Sequence, residues 1–454
     1  MQNDISKEFS LGGLLRFTFP TIIMMMFVAT YIIADGIFVS RFVGTAALSA
    51  INIVYPLINV MLGVGIMLGT GGSAIIGREL GAGKEDLARR HFTLLTLFAI
   101  AMGLILSLLC FVFIEPLSIF LGADEALLPY CIDYGRIMMA FYSISVVQVL
   151  FQVFFVTAGK PKLGLVLNVA SGISNIVFDY VFIVLMDMGI KGAAWGTVTS
   201  FLIGGIPPLI YFLKPRAVLY FVKPEWNTQV LLHSMSNGVS ELITNISSGV
   251  TTYLFNKVMM QMMGQDGVAA ITIILYAKFL FASAYMGFSN GVAPVFSYQY
   301  GRRNHVQLKR LFKMSMGIIL VSSAVISVLS FLLAEPTILV FTPRESSTFT
   351  LTLDGYKICA WNFLFCGVNI FASAFFTALS NGVLSALISS LRTFVCVSGC
   401  ILFLPKYLDL LGVWLAIPVA EVLTIVVAII LFVGARKKYQ YAQKRAVFRR
   451  KQIS

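Results

Sequence analysis

Long apolar runs alternate with short polar segments along the whole chain. Between Gly, Pro and charged positions, these runs predict twelve helices. Each run reaches about twenty residues, the length that crosses the hydrocarbon core of a bilayer. The predicted helices cover residues 14–39, 46–76, 90–113, 129–157, 163–186, 192–213, 229–262, 267–297, 308–333, 350–379, 383–404 and 411–435. The pattern therefore predicts an all-α polytopic membrane protein.

Composition excludes a soluble domain, and the positions of the charged residues indicate how the chain is oriented in the membrane. Of the 454 residues, 58% are hydrophobic and 12% are charged, whereas about a quarter is charged in soluble domains. The net charge of +13 does not predict nucleic-acid binding, because the basic residues lie between apolar runs and at the C-terminus. With the N-terminus inside, about 24 basic residues are cytoplasmic and about 6 are outside. We expect both termini in the cytoplasm and the chain in the plasma membrane.

The basic residues expected on the cytoplasmic side fall into two groups. One group lies before the first helix and in the inner loops, including the connector between the halves of the chain. The second group follows the last helix and consists of Arg436, Lys437, Lys438, Lys444, Arg445, Arg449, Arg450 and Lys451. An anionic inner leaflet attracts such clusters, so they are expected to face the cytoplasmic surface of the bilayer.

The two halves of the chain match at a shift of 220 residues. Gly44, Gly71, Gly81 and Arg90 correspond to Gly264, Gly291, Gly301 and Arg310, and Glu115-Pro116 corresponds to Glu335-Pro336. A repeat of six helices enters the membrane in the same orientation twice. We therefore predict an N-lobe at residues 1–214, a cytoplasmic connector at 215–228, a C-lobe at 229–436 and a basic tail at 437–454.

Four polar residues are expected at one depth in the outer half of the N-lobe. Counting from the helix ends places Asp35, Asp179 and Thr197 at similar levels, and Asn175 lies on the same helical face as Asp179. Their oxygens could bind Na⁺ or share a proton. The alternative is that the two aspartates only hydrogen-bond neighbouring helices.

The C-lobe is expected to carry charges of both signs near the middle of the membrane. Glu241, Lys278, Arg392 and Glu421 fall at one depth, so they form either an ion-pair network or a second coupling site. Pro20 interrupts the hydrogen bonds of the first helix, where it produces either a static kink or a bend coupled to Asp35.

The sequence does not indicate an enzyme or a resident cofactor. It has no H-E-x-x-H, G-x-S-x-G or Walker-type motif. Its six cysteines form no C-x-x-C pair, which argues against a zinc site or a disulfide framework. A transporter, with no cofactor besides a coupling ion, is the expected class.

The chain resembles the multidrug and toxic compound extrusion (MATE) family, in particular its MepA-like and DinF-like bacterial branch. The resemblance extends over nearly the whole chain. It is carried by Phe19-Pro20 and Asp35-Gly36-Ile37-Phe38-Val39, the predicted loop Gly77-Arg78-Glu79-Leu80-Gly81-Ala82-Gly83, Ala158-Gly159-Lys160-Pro161-Lys162, Asn175-x-x-x-Asp179, Gly192-Ala193-Ala194-Trp195-Gly196-Thr197 and Gly412-Val413-Trp414-Leu415-Ala416-Ile417-Pro418.

Membership in this family would imply two six-helix lobes in a V shape. It would also imply export of cationic or amphipathic drugs in exchange for Na⁺ or H⁺. In related members, residues matching Asp35, Asn175, Asp179 and Thr197 form the N-lobe cation site, and the residue matching Pro20 is a proposed bending point. A flippase for lipid-linked precursors is the alternative. We expect no nucleic-acid partner and a monomeric protein.

Overall fold

The computed structural model describes residues 4–215 and 218–441. Arg216 of the connector lies outside this range, as do residues 442–454 with the basic residues from Lys444 to Lys451. The described residues form helices joined by short loops, with no strand among them. Within these described ranges, eleven helices are long and apolar enough to cross a membrane. The longest of these, Thr228–Gly301, is broken at Gly264, where φ is +63°, so twelve spans result and the predicted fold class is confirmed.

The twelve helices are labelled α1 to α12 in chain order. Their bounds are Leu11–Phe42 (α1), Thr45–Gly81 (α2), Glu85–Val112 (α3), Leu128–Thr157 (α4), Pro161–Leu185 (α5), Gly189–Phe212 (α6), 228–263 (α7), 265–301 (α8), His305–Leu332 (α9), Ser347–Ala378 (α10), Gly382–Phe403 (α11) and Pro405–Tyr439 (α12). Two short helices, Ile114–Phe120 and Ala334–Leu339, follow α3 and α9.

Several predicted helix ends differ from the structure by a few residues, and two of these differences bear on the lobe seam and the tail. The segment from Gly77 to Gly81 was expected in a loop, but α2 continues through Gly81, because its glycines pack closely against α8. The last helix is predicted to end at residue 435, but α12 continues through Tyr439. Arg436, Lys437 and Lys438 thus lie in the last turn of a helix, where cations are favoured by the helix dipole.

The internal repeat is visible in the backbone. α2 and α8 end 220 residues apart, at Gly81 and Gly301, and α3 and α9 begin and end with the same separation. Positive φ angles recur at this shift, at Gly44 and Gly264, at Gly83 and Arg303, and at Gly189 and Asp409. Non-glycine residues rarely adopt such angles. Their recurrence at the same shift shows that the two halves share the same turn conformations.

The aromatic cores of the two lobes repeat in the same way. In the N-lobe, Phe92 packs on Phe212 at 5.1 Å and on Phe221 of the connector at 5.3 Å between ring centroids. In the C-lobe, the equivalent distances from Phe312 are 5.3 Å to Phe432 and 4.7 Å to Tyr441. The segment after α12 therefore closes the C-lobe as the connector closes the N-lobe.

The connector is attached to the N-lobe by polar contacts as well. Phe221 donates its backbone N–H to the Phe212 carbonyl at 2.9 Å, and Arg89 donates from Nε to the Val218 carbonyl at 2.9 Å. The Arg89 guanidinium also stacks over the Tyr220 ring. These contacts hold the described part of the connector against the ends of α3 and α6.

The lobes contact each other through glycines related by the repeat. A Cβ on Gly81 would lie 2.8 Å from the Tyr298 carbonyl carbon, and one on Gly301 would lie 2.7 Å from the Arg78 carbonyl carbon. Tyr298 and Arg78 are themselves related by the same shift. A Cβ on Gly77 would likewise meet Ser297 Cβ at 2.9 Å. Ordinary side chains do not fit here, so these glycines let the backbones of α2 and α8 touch.

Candidate functional site

The N-lobe candidates lie on three neighbouring helices, α1, α5 and α6. Asn175 and Asp179 are one turn apart in α5 and both are 1% exposed. Directly after Asp179, the helix widens to a π-helical segment, Tyr180–Leu185. Such segments are frequent at functional sites, because the added residue redirects neighbouring side chains. Asp35 comes from α1 and Thr197 from α6.

The structure brings these four side chains into two contacting pairs. The carboxyl groups of Asp35 and Asp179 are within hydrogen-bonding reach of each other. A hydrogen bond between two carboxyl groups requires one proton shared by the pair. Asn175 Nδ2 lies 3.5 Å from Thr197 Oγ1, which donates to the Ala193 carbonyl at 3.1 Å. Because Asn175 and Asp179 share one face of α5, the two pairs form one oxygen-rich cluster.

Three oxygens of this cluster have no protein donor. Asp35 Oδ1, Asn175 Oδ1 and Asp179 Oδ1 are buried, and the described residues offer none of them a hydrogen bond. Buried acceptors of this kind are satisfied by a proton, a cation or water. Carboxylate, amide and hydroxyl oxygens also form the ligand type that hard cations prefer. The cluster is therefore chemically suited to exchange a small cation or a proton.

Gly196, which belongs to the quoted motif from Gly192 to Thr197 but was not predicted as a site residue, supports the cluster. A Cβ at this position would overlap Asp179 Oδ1, and one on Gly192 would lie 2.9 Å from the Phe182 carbonyl. Small residues four positions apart let membrane helices approach closely. The Gly192-x-x-x-Gly196 spacing was the available signal, and it brings α6 against the Asp179 carboxyl group.

Four tyrosines lie near Asp35, and no sequence motif had indicated them. The phenol groups of Tyr31, Tyr55, Tyr134 and Tyr276 are all within electrostatic range of the Asp35 carboxyl group. Tyr31 is one turn before Asp35, which the helical period could have indicated. The others come from α2, α4 and α8, so only the fold brings them together. Tyr276 belongs to the C-lobe, and Asp35 therefore lies near the seam between the lobes.

Pro20 lies inside α1, which is helical without interruption from Leu11 to Phe42. The adjacent Thr21 donates from Oγ1 to the Thr18 carbonyl at 2.6 Å, and Thr18 donates to the Leu14 carbonyl at 3.0 Å. A Cβ on Gly287 of α8 would meet the Ile22 Cα at 2.5 Å. The proline region of α1 thus packs closely against α8, and its bending role stays a prediction.

In the C-lobe, Arg392 and Glu421 form a buried ion pair. Arg392 Nε donates to the two carboxylate oxygens of Glu421 at 2.9 and 3.2 Å. Asn369 Nδ2 also donates to Glu421 Oε2, at 2.7 Å. Arg392 lies in a second π-helical segment, Leu391–Val395. The Glu421 carboxylate, 2% exposed, is fully engaged by neighbouring donors.

Glu241 and Lys278 do not join this pair directly. Within residues 4–215 and 218–441, neither forms an ion pair within 4.0 Å. Glu241 lines a small cavity between the lobes, together with Thr70 and Ser73 of α2 and Asn290 and Thr377 of the C-lobe. The four charges expected at one depth are therefore one tight pair and two separate groups.

Comparison with known proteins identifies the family. A family model described as MatE matches the chain twice, over residues 20–181 and 239–402. The chain belongs to the MatE family. This MatE protein is 24% identical over 367 residues to the multidrug export protein MepA of Staphylococcus saprophyticus, with 78% of this chain and 80% of the relative covered. The resemblance inferred from sequence motifs is confirmed.

Solved structures agree with the fold. This MatE chain superposes with a TM-score of 0.87 and 22% identity on the outward-facing conformation of a multidrug resistance MATE family transporter of the MOP superfamily, covering 94% of this chain and 95% of the other. Superposition on a crystal structure of MATE in the straight conformation gives a TM-score of 0.89 at 21% identity, and it covers 97% of this chain and 98% of the other. As a MatE protein with twelve spans, the chain is a membrane transporter and not an enzyme.

Proposed function

We propose that this MatE protein exports cationic or amphipathic organic compounds across the plasma membrane in exchange for Na⁺ or H⁺. The relatives named multidrug export protein MepA support the class of substrate. The observation that carries the coupling mechanism is the contact between the carboxyl groups of Asp35 and Asp179, whose buried Oδ1 atoms lack protein donors. This pair, with Asn175 and Thr197, is the proposed cation site.

Competition between the coupling cation and the exported compound for Asp35 would couple entry of the one to export of the other. A carboxyl group at the lobe seam can be neutralised by a small cation, by a proton or by the positive group of a substrate, but not by all at once. Reciprocal linkage then requires each ligand to weaken binding of the other. Tyr31, Tyr55 and Tyr276 lie within electrostatic range of Asp35, and aromatic rings of this kind attract organic cations.

Alternating opening of the seam would give access to the two sides of the membrane. Transporters built from two repeats move one bundle against the other around a central site. The basic loops at the Gly81 and Gly301 end support a cytoplasmic position for that end and for both termini. The protein is proposed to act as a monomer, because each lobe contributes half of one cleft.

A lipid-linked precursor flippase is less well supported. Such a cleft needs basic residues for phosphate, whereas the N-lobe site at the seam contains Asp35 and Asp179. Arg392 is a base of the type that binds phosphate, but its Nε already donates to Glu421.

The test is ethidium efflux from proteoliposomes with a Na⁺ gradient or a pH gradient imposed separately. Asp35→Asn and Asp179→Asn should each abolish gradient-driven efflux. Asp133→Asn is the matched control, because Asp133 is exposed and pairs with Lys191 at 3.3 Å. Concentrative efflux by both Asn variants would refute the N-lobe mechanism. Efflux driven by only one gradient in the wild type would identify the coupling ion.

A further inference from the structure

A small cavity lies inside the N-lobe, between α4, α5 and α6. Its lining includes the amide side chains of Gln148, Gln152 and Asn168 and the backbone of Gly204, and none of the described residues that line it is charged. We call this space the amide cavity. Counted from the helix ends, these residues lie about 8–14 Å from the end of the lobe that is expected to face the cytoplasm.

The amide cavity contains polar groups without protein partners. Asn168 is 3% exposed, and within the described residues neither its amide oxygen nor its amide nitrogen forms a hydrogen bond. Pro208 in α6 has no N–H, so the carbonyl of Gly204, four residues earlier, lacks its usual helical donor. Buried groups of this kind are normally satisfied by water or by an ion. The cavity therefore has the features of a binding site for a small polar ligand.

A chain of polar contacts inside the N-lobe connects the amide cavity to the cation cluster. Gln148 Nε2 donates to Ser171 Oγ at 2.9 Å, and Ser171 Oγ donates to the Ser200 carbonyl at 2.8 Å. Ser200 Oγ donates in turn to the Thr197 carbonyl at 2.8 Å. Thr197 Oγ1 lies 3.5 Å from Asn175 Nδ2. Polar groups thus continue from the cavity to the cluster without entering the seam between the lobes.

The corresponding position in the C-lobe is satisfied by hydrogen bonding. Around the turn that joins α4 to α5 the repeat shift is 221 residues, since it relates the positive φ angles of Gly159 and Ser380. At this shift Asn168 corresponds to Ser389, whose hydroxyl lies 2.9 Å from that of Ser373. The duplicated framework therefore does not require an unpartnered amide here, which favours a binding role for Asn168 over a packing role.

The chemistry of the amide cavity suits Na⁺. Amide and carbonyl oxygens are ligands of hard cations, and carbonyls at interrupted helices coordinate Na⁺ in transporters. Amides do not take up a proton near neutral pH. A site made of neutral oxygens also binds weakly enough to release the ion again, as an intermediate site on a path requires.

We propose that the amide cavity is a second Na⁺ site of the N-lobe, which holds the ion between the pair of Asp35 and Asp179 and the cytoplasm. Na⁺ released from the carboxyl groups would leave through the interior of the N-lobe, while the organic compound uses the cleft between the lobes. The inference rests on the exchange function proposed above and specifies Na⁺ as its ion. Binding of Na⁺ measured without any gradient separates its failure from failure of that function.

The test is equilibrium binding of radioactive Na⁺ to the purified full-length protein, followed by scintillation proximity. Asn168→Leu, which nearly preserves side-chain size, should lower the bound Na⁺ by about one ion per chain. Asp179→Asn should remove the other site and leave the amide cavity occupied. Gln307→Leu is the matched control, because Gln307 is a buried C-lobe amide whose nitrogen also lacks a partner. This control should bind as much Na⁺ as the wild type.

A conservative variant and a transport assay make the outcome decisive. Asn168→Asp keeps an oxygen ligand and should keep the wild-type amount of bound Na⁺, which separates loss of a ligand from misfolding. Asn168→Leu should slow Na⁺-driven ethidium efflux at least about tenfold, with ethidium binding unchanged.

Two results would overturn the proposal. Bound Na⁺ in Asn168→Leu equal to that of the wild type would exclude the site, and efflux at the wild-type rate would exclude its place on the release path. If a Na⁺ gradient drives no efflux in the wild type, exchange with Na⁺ fails as a function, whereas the amount of bound Na⁺ still decides whether the site exists.

Discussion

Adding one methyl group at Gly81 should open the end of the lobe seam where α2 meets α8. The new Cβ of Gly81→Ala would lie 2.8 Å from the Tyr298 carbonyl carbon and 3.0 Å from Arg302 N. Ordinary van der Waals contact begins at 3.4 Å, and the same Cβ would overlap the Tyr298 carbonyl oxygen more deeply still, so the two backbones must separate by well over about 0.6 Å. Both partners are backbone atoms, and no change of rotamer can relieve the overlap.

The expected magnitude follows from the cost of overpacking. An added methyl group in a closed contact costs about 1–3 kcal/mol. Because the penalty applies only while the lobes touch at this end, it should shift the open–closed equilibrium about 5- to 150-fold. Gly301→Ala should act equally, since its Cβ meets Arg78 in the arrangement related by the repeat.

Hydrogen–deuterium exchange with mass spectrometry measures this change directly. Peptides covering residues 78–90 and 298–310 should exchange faster in both variants. Gly317→Ala is the matched control, because no atom lies within 4 Å of a Cβ at that α9 glycine. Exchange in Gly81→Ala and Gly301→Ala equal to that of the control would show that this contact does not hold the lobes together.

Three further predictions concern stability and coupling. Tyr441→Ala should lower the free energy of unfolding by about 3–5 kcal/mol, because the buried ring is lost from the C-lobe core, as measured by thermal unfolding in detergent. Glu421→Gln should destabilise by about 3–5 kcal/mol in the same assay, since Arg392 is left as an uncompensated buried charge. Gly196→Ala should reduce ion-driven efflux at least about tenfold, because its Cβ displaces the Asp179 carboxyl group, while ethidium binding persists.

Each of these predictions has an internal control. Tyr441→Phe loses only the hydrogen bond to the Phe432 carbonyl and should cost about 1 kcal/mol; a loss equal to that of the alanine variant would contradict a packing role. Replacing Glu421 and Arg392 together by Gln and Met should restore part of the lost stability, and no recovery would argue against the charge explanation. Normal coupling in Gly196→Ala would show that Asp179 tolerates displacement.

Much of the fold follows from local properties of the sequence. Runs of apolar residues long enough for a bilayer determine the helices, because an unpaired backbone group in lipid costs several kcal/mol. The repeat shift also predicted the equivalence of Gly81 and Gly301, which the helix ends confirm. Predicted helix ends departed from the structure where packing outweighs polarity, as at Gly77–Gly81, since nothing local indicates that a polar segment touches another helix.

The composition of the site depended more on tertiary structure. Helical period and depth placed Asp35, Asn175, Asp179 and Thr197 at one level, because rise per residue is fixed. The sequence could not say which of the C-lobe charges pair, since several pairings satisfy the same depth. The fold joined Arg392 to Glu421 and left Lys278 apart.

The sequence by itself thus determined the number of spans and the duplication, and it predicted the depth of the buried charges. Only the tertiary structure decided which partners those charges meet and where the lobes touch. The physical reason is that hydrophobic length and helical rise act along one helix, whereas ion pairs and glycine contacts depend on the rotation and approach of helices distant in the chain. Asp35 illustrates both kinds of information. Its depth was predicted from its position in α1, whereas its contacts with Asp179 and Tyr276 depend on how the helices pack.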